Sequence, residues 1–446
     1  MIVPLRPIVR VWPPYIWASL ALALSAGFGL GGGLFAALAL PVPLGAWWVA
    51  AGQAHGHVQL FGWAGLMVLG VALHFLPRLR GAPLARPELA GPALWLFVVG
   101  LLVRAVSQPS AALAGSWALA AALHVSLALS GALELLGGSL VVALLARTSR
   151  GGPAVRERPG LLSVLPLLVA AFAGLWLSLA ANLVGVVAGA VMASAVVPAW
   201  ADEPTNLLAF YGFLVPISVA MSARTFPLYF RTPLPNQRLL RVALVLLLVG
   251  LALRLYGLTG VPPAAAVGSA GFAASLGVFV VALGVFARRV PLPRQPVRPF
   301  HDPMQLHALS AYVWLLVAAA LLVLDGLAAA GIWWLPSSTS GDAEQHALGV
   351  GFVTLLIFGV GAHLLPGFAN RPLRSRGLVW ATLVLGNAAA LLRVAPVLVS
   401  AWLPAWLVDS SLALAGLAGL IAVAAFGVNL LPIPTTSKRP AGQPLL

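Results

Sequence analysis

Twelve apolar stretches, each long enough to cross a bilayer, follow one another along this chain of 446 residues and constrain its fold more than any other feature. They run roughly over 14–40, 55–77, 89–108, 113–146, 161–183, 204–230, 239–257, 264–287, 304–332, 344–366, 377–396 and 404–431. At 61% hydrophobic and 8% charged, the chain has too little polar surface to clothe a soluble domain. Backbone groups in hydrocarbon must pair within their own segment, so the spans are predicted to be helices. The expected fold is an all-α polytopic membrane protein forming a single transmembrane domain. The absence of cysteine excludes disulfides, thiolate-held iron–sulfur clusters and haem attached through CxxCH.

The net charge of +15 suggests nucleic acid until its placement is considered. Arginine gathers in the connections 78–88, 147–160, 231–238, 288–303 and 367–376, and basic residues mark both tails at Arg6, Arg10, Lys438 and Arg439. The alternate connections carry almost none. This is the positive-inside pattern of a multi-pass membrane protein, and it places both termini in the cytoplasm. The partner implied is a lipid bilayer, with no nucleic acid. A further apolar stretch at 184–200 is expected to lie in the membrane interface.

Three segments repeat with strict spacing. They are "HVQLFGWAGLMVLGVALHFLPRLRGAPL" from His57, "LLAFYGFLVPISVAMSARTFPLYFRTPL" from Leu207 and "HALGVGFVTLLIFGVGAHLLPGFANRPL" from His346. Each has glycine followed by an aromatic (Gly62-Trp63, Gly212-Phe213, Gly351-Phe352), then a proline (Pro77, Pro227, Pro366), then Pro-Leu. An arginine follows each first proline at the same distance: Arg104, Arg254 and Arg393. The offsets between copies are 150 and 139 residues at every landmark. The spans therefore divide into three arcs of four, over approximately 14–150, 161–289 and 301–432.

Two positions vary between copies. The outer one is His57, Leu207 and His346; the inner one is His74, Arg224 and His363. Spans 2 and 10 thus each carry two histidines separated by about 25 Å along a helix, nearly the depth of the hydrocarbon. One histidine on each of two helices at matching depth is what a six-coordinate haem requires. His57 and His346, each read as opening its helix, form the first candidate pair. His74 and His363 form a second, or else serve the inner interface as Arg224 does. His55 is a candidate for copper or for the axial position itself, and His301 and His307 are candidates for a metal or haem contact. His124 is read as a buried, hydrogen-bonded histidine. Arg104, Arg254, Arg393 and Arg224 are candidates to meet haem propionates or an anionic substrate; the first three otherwise snorkel to the interface. Glu134 and Asp325 are the candidates for proton transfer, and Asp342 and Glu344 for orienting His346.

The motifs "HGHVQLFGWAGLMVLGVALHFLP", "SARTFPLYFRTPL", "LHALSAYVW" and "HALGVGFVTLLIFGVGAHLLPGFANRPL" together resemble the NnrS family over most of the chain. That resemblance implies a twelve-span bacterial protein holding haem and copper and linked to nitric oxide metabolism and nitrosative stress. More distantly the chain is similar to the catalytic subunit of haem-copper oxidases, whose twelve helices form three arcs with a low-spin haem held by histidines of spans 2 and 10. By that resemblance His57 and His346 are axial ligands of a b-type haem. There are two departures from that family. The family's first motif usually reads HAHE where this chain has "HGHVQ", and the family does not usually carry histidine at both of the positions held here by His74 and His363. No histidine lies between His124 and His301, so the oxidase copper centre on spans 6 and 7 is not expected. The function implied is nitric oxide handling or transmembrane electron transfer, with a quinol or cytochrome as donor. The rival readings are a haem-dependent reductase of nitric oxide or oxygen, and an anion transporter or channel using the arginines.

Overall fold

The structure, a computed structural model, describes residues 10–38, 43–290, 301–332 and 337–431. Arg6, Lys438, Arg439 and residues 291–300 of the basic connection at 288–303 lie outside them. Among the described residues, twelve helices are long and apolar enough to cross a membrane. They are α1 (Pro13–Leu38), α2 (Ala46–Arg80), α3 (Pro87–Ala111), α4 (Trp117–Arg150), α5 (Leu165–Val191), α6 (Ala199–Tyr229), α7 (Gln237–Gly257), α8 (Pro262–Leu283), α9 (Pro303–Ala329), α10 (Gly341–Ala369), α11 (Arg376–Leu398) and α12 (Ala405–Leu430). The architecture is that of an all-α, multi-pass membrane protein.

The helices form two layers. The most apolar stretches of α2, α6 and α10 are 72%, 78% and 72% buried, against 33–50% in the other nine, so these three are the inner helices. Neighbours in sequence pack side by side around them, and α12 returns to pack on α1. The outer helices expose Trp95, Val106, Val169 and Val281, as a lipid-facing surface should. The inner helices share a second property. Each contains a π-helical stretch: Val58–Gly65, Leu208–Leu214 and Ala347–Thr354. These begin at the 150- and 139-residue offsets of the sequence repeat. In the third, the Thr354 hydroxyl donates to the Gly349 carbonyl five residues back, at 2.8 Å. Such windings are rare and concentrate at functional sites.

Two expectations about boundaries are corrected. His57 does not open its helix, because α2 begins at Ala46 and His57 lies about 16 Å inside it. Gln53, a polar residue in the added length, is paired within the protein: its amide donates to Val197 O and its Oε1 accepts from Val197 N and Gln108. The stretch 184–200 is not an interfacial element of its own. It continues α5 to Val191, and the residues after it turn back to cover the end of α2 through those bonds to Gln53.

Candidate functional site

A cavity of about 340 Å³ opens between α1, α2, α6 and α10 at the end of the bundle opposite the arginine-rich connections. This lies within the ~300–1,000 Å³ range of ligand pockets. Glycines keep it open: a Cβ added at Gly52 or Gly56 would meet nothing within 4 Å. Phe28, Phe35, Trp48, Trp63 and Phe210 supply its apolar walls. Trp63 closes the floor by donating its indole N–H to Thr354 Oγ1 at 3.0 Å, which ties α2 to α10.

Three histidines reach this wall: His55, His57 and His346. His55 and His57 are two residues apart, hence about 200° apart around a helix, and cannot face the same way. His55 turns toward α1. Its Nδ1 lies 2.9 Å from Gly27 O, and its ring packs so close to Gly31 that an added Cβ there would stand 2.5 Å from it. His346 Nδ1 lies 2.8 Å from Asp342 O. A carbonyl oxygen only accepts, so in both rings Nδ1 carries the proton and Nε2 keeps its lone pair. His57 turns the other way, toward α4, where its Nε2 meets Glu134 Oε2 at 2.5 Å. Glu134 is fully buried, and its second oxygen has no hydrogen-bond partner among the described residues.

Around these rings the three repeat arginines are engaged rather than snorkelling. Arg104, 1% exposed, donates to Gln108 and Asn182. Arg254 donates to Asp325 at 2.8 Å, and the Ser269 hydroxyl donates to the same carboxylate oxygen. Arg393 makes a two-pronged bond to Asp342, 2.8 Å on each side. Asp342 therefore holds His346 by its carbonyl and is itself held by its carboxylate. Glu344 does not orient His346; it accepts from the Tyr211 hydroxyl. Two polar atoms in the cavity wall, Gln59 Oε1 and Arg393 Nε, are buried without a partner among the described residues.

The other candidates lie elsewhere. The rings of His74 and His363 do not converge on a shared cavity. His74 stacks on Phe368 at 3.9 Å and sits edge-on to Trp12. His363 packs against Tyr229, with Nδ1 3.1 Å from Met304 Sδ. His307 is fully buried with both nitrogens engaged, Nδ1 at 2.6 Å from Pro303 O and Nε2 at 3.2 Å from the Thr382 hydroxyl. His301 is exposed. His124 is buried as expected, but its Nδ1 has no hydrogen-bond partner among the described residues. Arg224 borders a different, apolar cavity. Among the described residues no group of three or more His, Cys, Asp and Glu side chains gathers to hold a metal ion. Sequence reasoning passed over Gln53, Gln59 and Gly31. The only sign of Gly31 was the glycine run "GLGGG" in the first span.

This arrangement is similar in fold to a heme-copper terminal oxidase whose dimer was solved by cryo-electron microscopy. The TM-score is 0.53 at 12% identity, covering 97% of this chain and 84% of that one. At that identity the likeness is one of fold. A family profile described as "Domain of unknown function (DUF8744)" matches residues 302–429, which span α9 to α12 and include His346 and Arg393 but not His55. No curated protein matches the sequence.

Proposed function

We propose that the chain is an NnrS-like membrane haem protein, holding b-type haem between α2 and α10 and acting in nitric oxide metabolism or electron transfer across the membrane. The observation that carries this reading is the shared tautomer of His55 and His346. Both donate Nδ1–H to a backbone carbonyl, and both keep Nε2 as a ligand atom beside one cavity. Axial histidines are commonly fixed in this way. The wall fits the group further. Its aromatics suit a porphyrin's faces, and Arg393 Nε, a buried donor without a partner, suits an acidic substituent. When bound, haem supplies one-electron chemistry and a coordination site for a diatomic ligand.

The chain's own residues orient and insulate. Asp342, braced by Arg393, sets the plane of the His346 ring; Gly27 and Gly31 set that of His55. The axial role on α2 passes from His57 to His55, since His57 Nε2 is committed to Glu134. The inner pair, His74 and His363, takes no haem in this reading. Copper has no part in it either, since His307 is saturated by hydrogen bonds and His301 is exposed. The anion-path reading loses its support because Arg104, Arg254 and Arg393 each have partners. We assign the arginine-rich end to the cytoplasm of a bacterial plasma membrane by its charge, and a quinol or cytochrome as the donor.

The test is a reduced-minus-oxidised spectrum with pyridine haemochrome quantification on purified protein. One b-type haem per chain is expected, lost in His55→Ala and His346→Ala and retained in His57→Ala. A preparation from haem-replete cells with no Soret band refutes the proposal. Loss of haem in His57→Ala but not in His55→Ala returns the axial role to His57.

A further inference from the structure

A second cavity, about 90 Å³, lies between α2, α5, α6 and α10. Along α2 its wall runs from Met67 to Leu79, about 18 Å of helix, reaching the arginine-rich end. Phe172, Ile217 and Leu364 close the other sides, and the only polar residues in the wall are Ser218 and Arg224. The cavity is thus a long apolar cleft with one cation.

Arg224 differs from the other intramembrane arginines. Arg104, Arg254 and Arg393 each have hydrogen-bond partners, whereas Arg224 makes no hydrogen bond or ion pair with any described residue. Its guanidinium rests against Gly160, where an added Cβ would come within 3.0 Å. Two residues earlier, Arg158 lays its own guanidinium over Gly81, immediately beyond the end of α2. Arg158 also makes no hydrogen bond or ion pair with a described residue, and both arginines are half-buried. Glycine at 81 and 160 leaves room for the two groups at the same end of the cleft. A half-buried, uncompensated charge is costly beside hydrocarbon, and two of like sign are more so.

We propose that this cleft binds one anionic phospholipid, with an acyl chain between the inner helices and the phosphate on Arg224 and Arg158. A phosphate offers enough oxygens for two guanidinia and forms charge-assisted, two-pronged bonds with each. A neutral quinone head would leave both charges uncompensated. The arginine-rich end lies where anionic headgroups concentrate when it faces the cytoplasm. The proposal does not depend on whether haem is bound.

The experiment is native mass spectrometry of purified protein in neutral detergent, titrated separately with dioleoylphosphatidylglycerol, dioleoylphosphatidylcholine and oleate. The expected result is one phosphatidylglycerol retained per chain, with phosphatidylcholine and oleate lost. Losing one arginine should weaken retention roughly fivefold in Arg224→Ala and in Arg158→Ala, while Arg224→Lys stays near wild type. Should Arg224→Ala fail to fold, Arg224→Gln and Arg158→Ala carry the comparison. Equal retention of the two phospholipids, or an unchanged affinity in the arginine variants, overturns the proposal. Retention of oleate in place of phosphatidylglycerol overturns it in favour of a free fatty acid.

Discussion

The two ends of α2 and α10 carry the same residue type at the same spacing, yet they are built in opposite ways. At one end His55 and His346 line one cavity, each with Nδ1 held at hydrogen-bond distance from a backbone carbonyl. At the other end the space is filled. Phe368 and Trp12 cover His74, and Tyr229 and Met304 cover His363. A histidine becomes a candidate ligand here through what its neighbours withhold. Residue type and helical spacing do not separate the two cases; the size of the surrounding side chains does.

The contrast breaks most sharply in the haem spectrum. His346→Ala is expected to abolish haem absorption, whereas His74→Ala and His363→Ala leave its amplitude unchanged. Loss of haem in either inner variant would make the two ends equivalent after all. Next in size is the effect of stripping a half-buried arginine of its partner. Asp325→Ala leaves Arg254 uncompensated and should cost about 3–5 kcal/mol in unfolding measurements. Asp342→Ala should cost distinctly less, because that carboxylate is 40% exposed. Equal losses would show that burial does not set the strength of these pairs. A subtler probe is Gly31→Ala, whose methyl would intrude on the His55 ring. Lowered haem occupancy with an unchanged melting temperature is the expected outcome, and full occupancy would detach His55 from the site. Smallest is His74→Phe at the filled end. It keeps the stack on Phe368 and should change stability by less than about 1.5 kcal/mol without altering the spectrum.

Much of the architecture was legible because hydropathy and charge report it directly. All twelve spans appear, and the segments with the regular landmarks are the three inner helices. The start of α2 was not legible, since the partners that satisfy Gln53 inside the protein, Val197 and Gln108, are distant in sequence. The candidate site was half legible. His346 was singled out by its register and lines the cavity, but which of His55 and His57 turns toward α1 and which toward Glu134 depends on the rotation of α2, which spacing alone leaves open. Rotation also decided the fate of the carboxylates. Glu134 was singled out as a lone acid in a span, and its partner is the histidine first assigned to haem. Asp342 and Glu344 sit two residues apart, and only Asp342 supports His346.

The π-helical stretches have a consequence for how these helices tolerate change in length. A wide turn holds one residue more than the α-winding it replaces, so α2 and α10 each carry a built-in phase shift between their two ends. Deleting one residue from Val58–Gly65 would leave a helix of ample length to span the bilayer. The part before the deletion would be turned by about 100° against the part after it. Such a chain should still insert and pack its outer helices, while the ring at position 55 would no longer sit against Gly27 and Gly31 of α1. The helix would survive the deletion and its alignment would not.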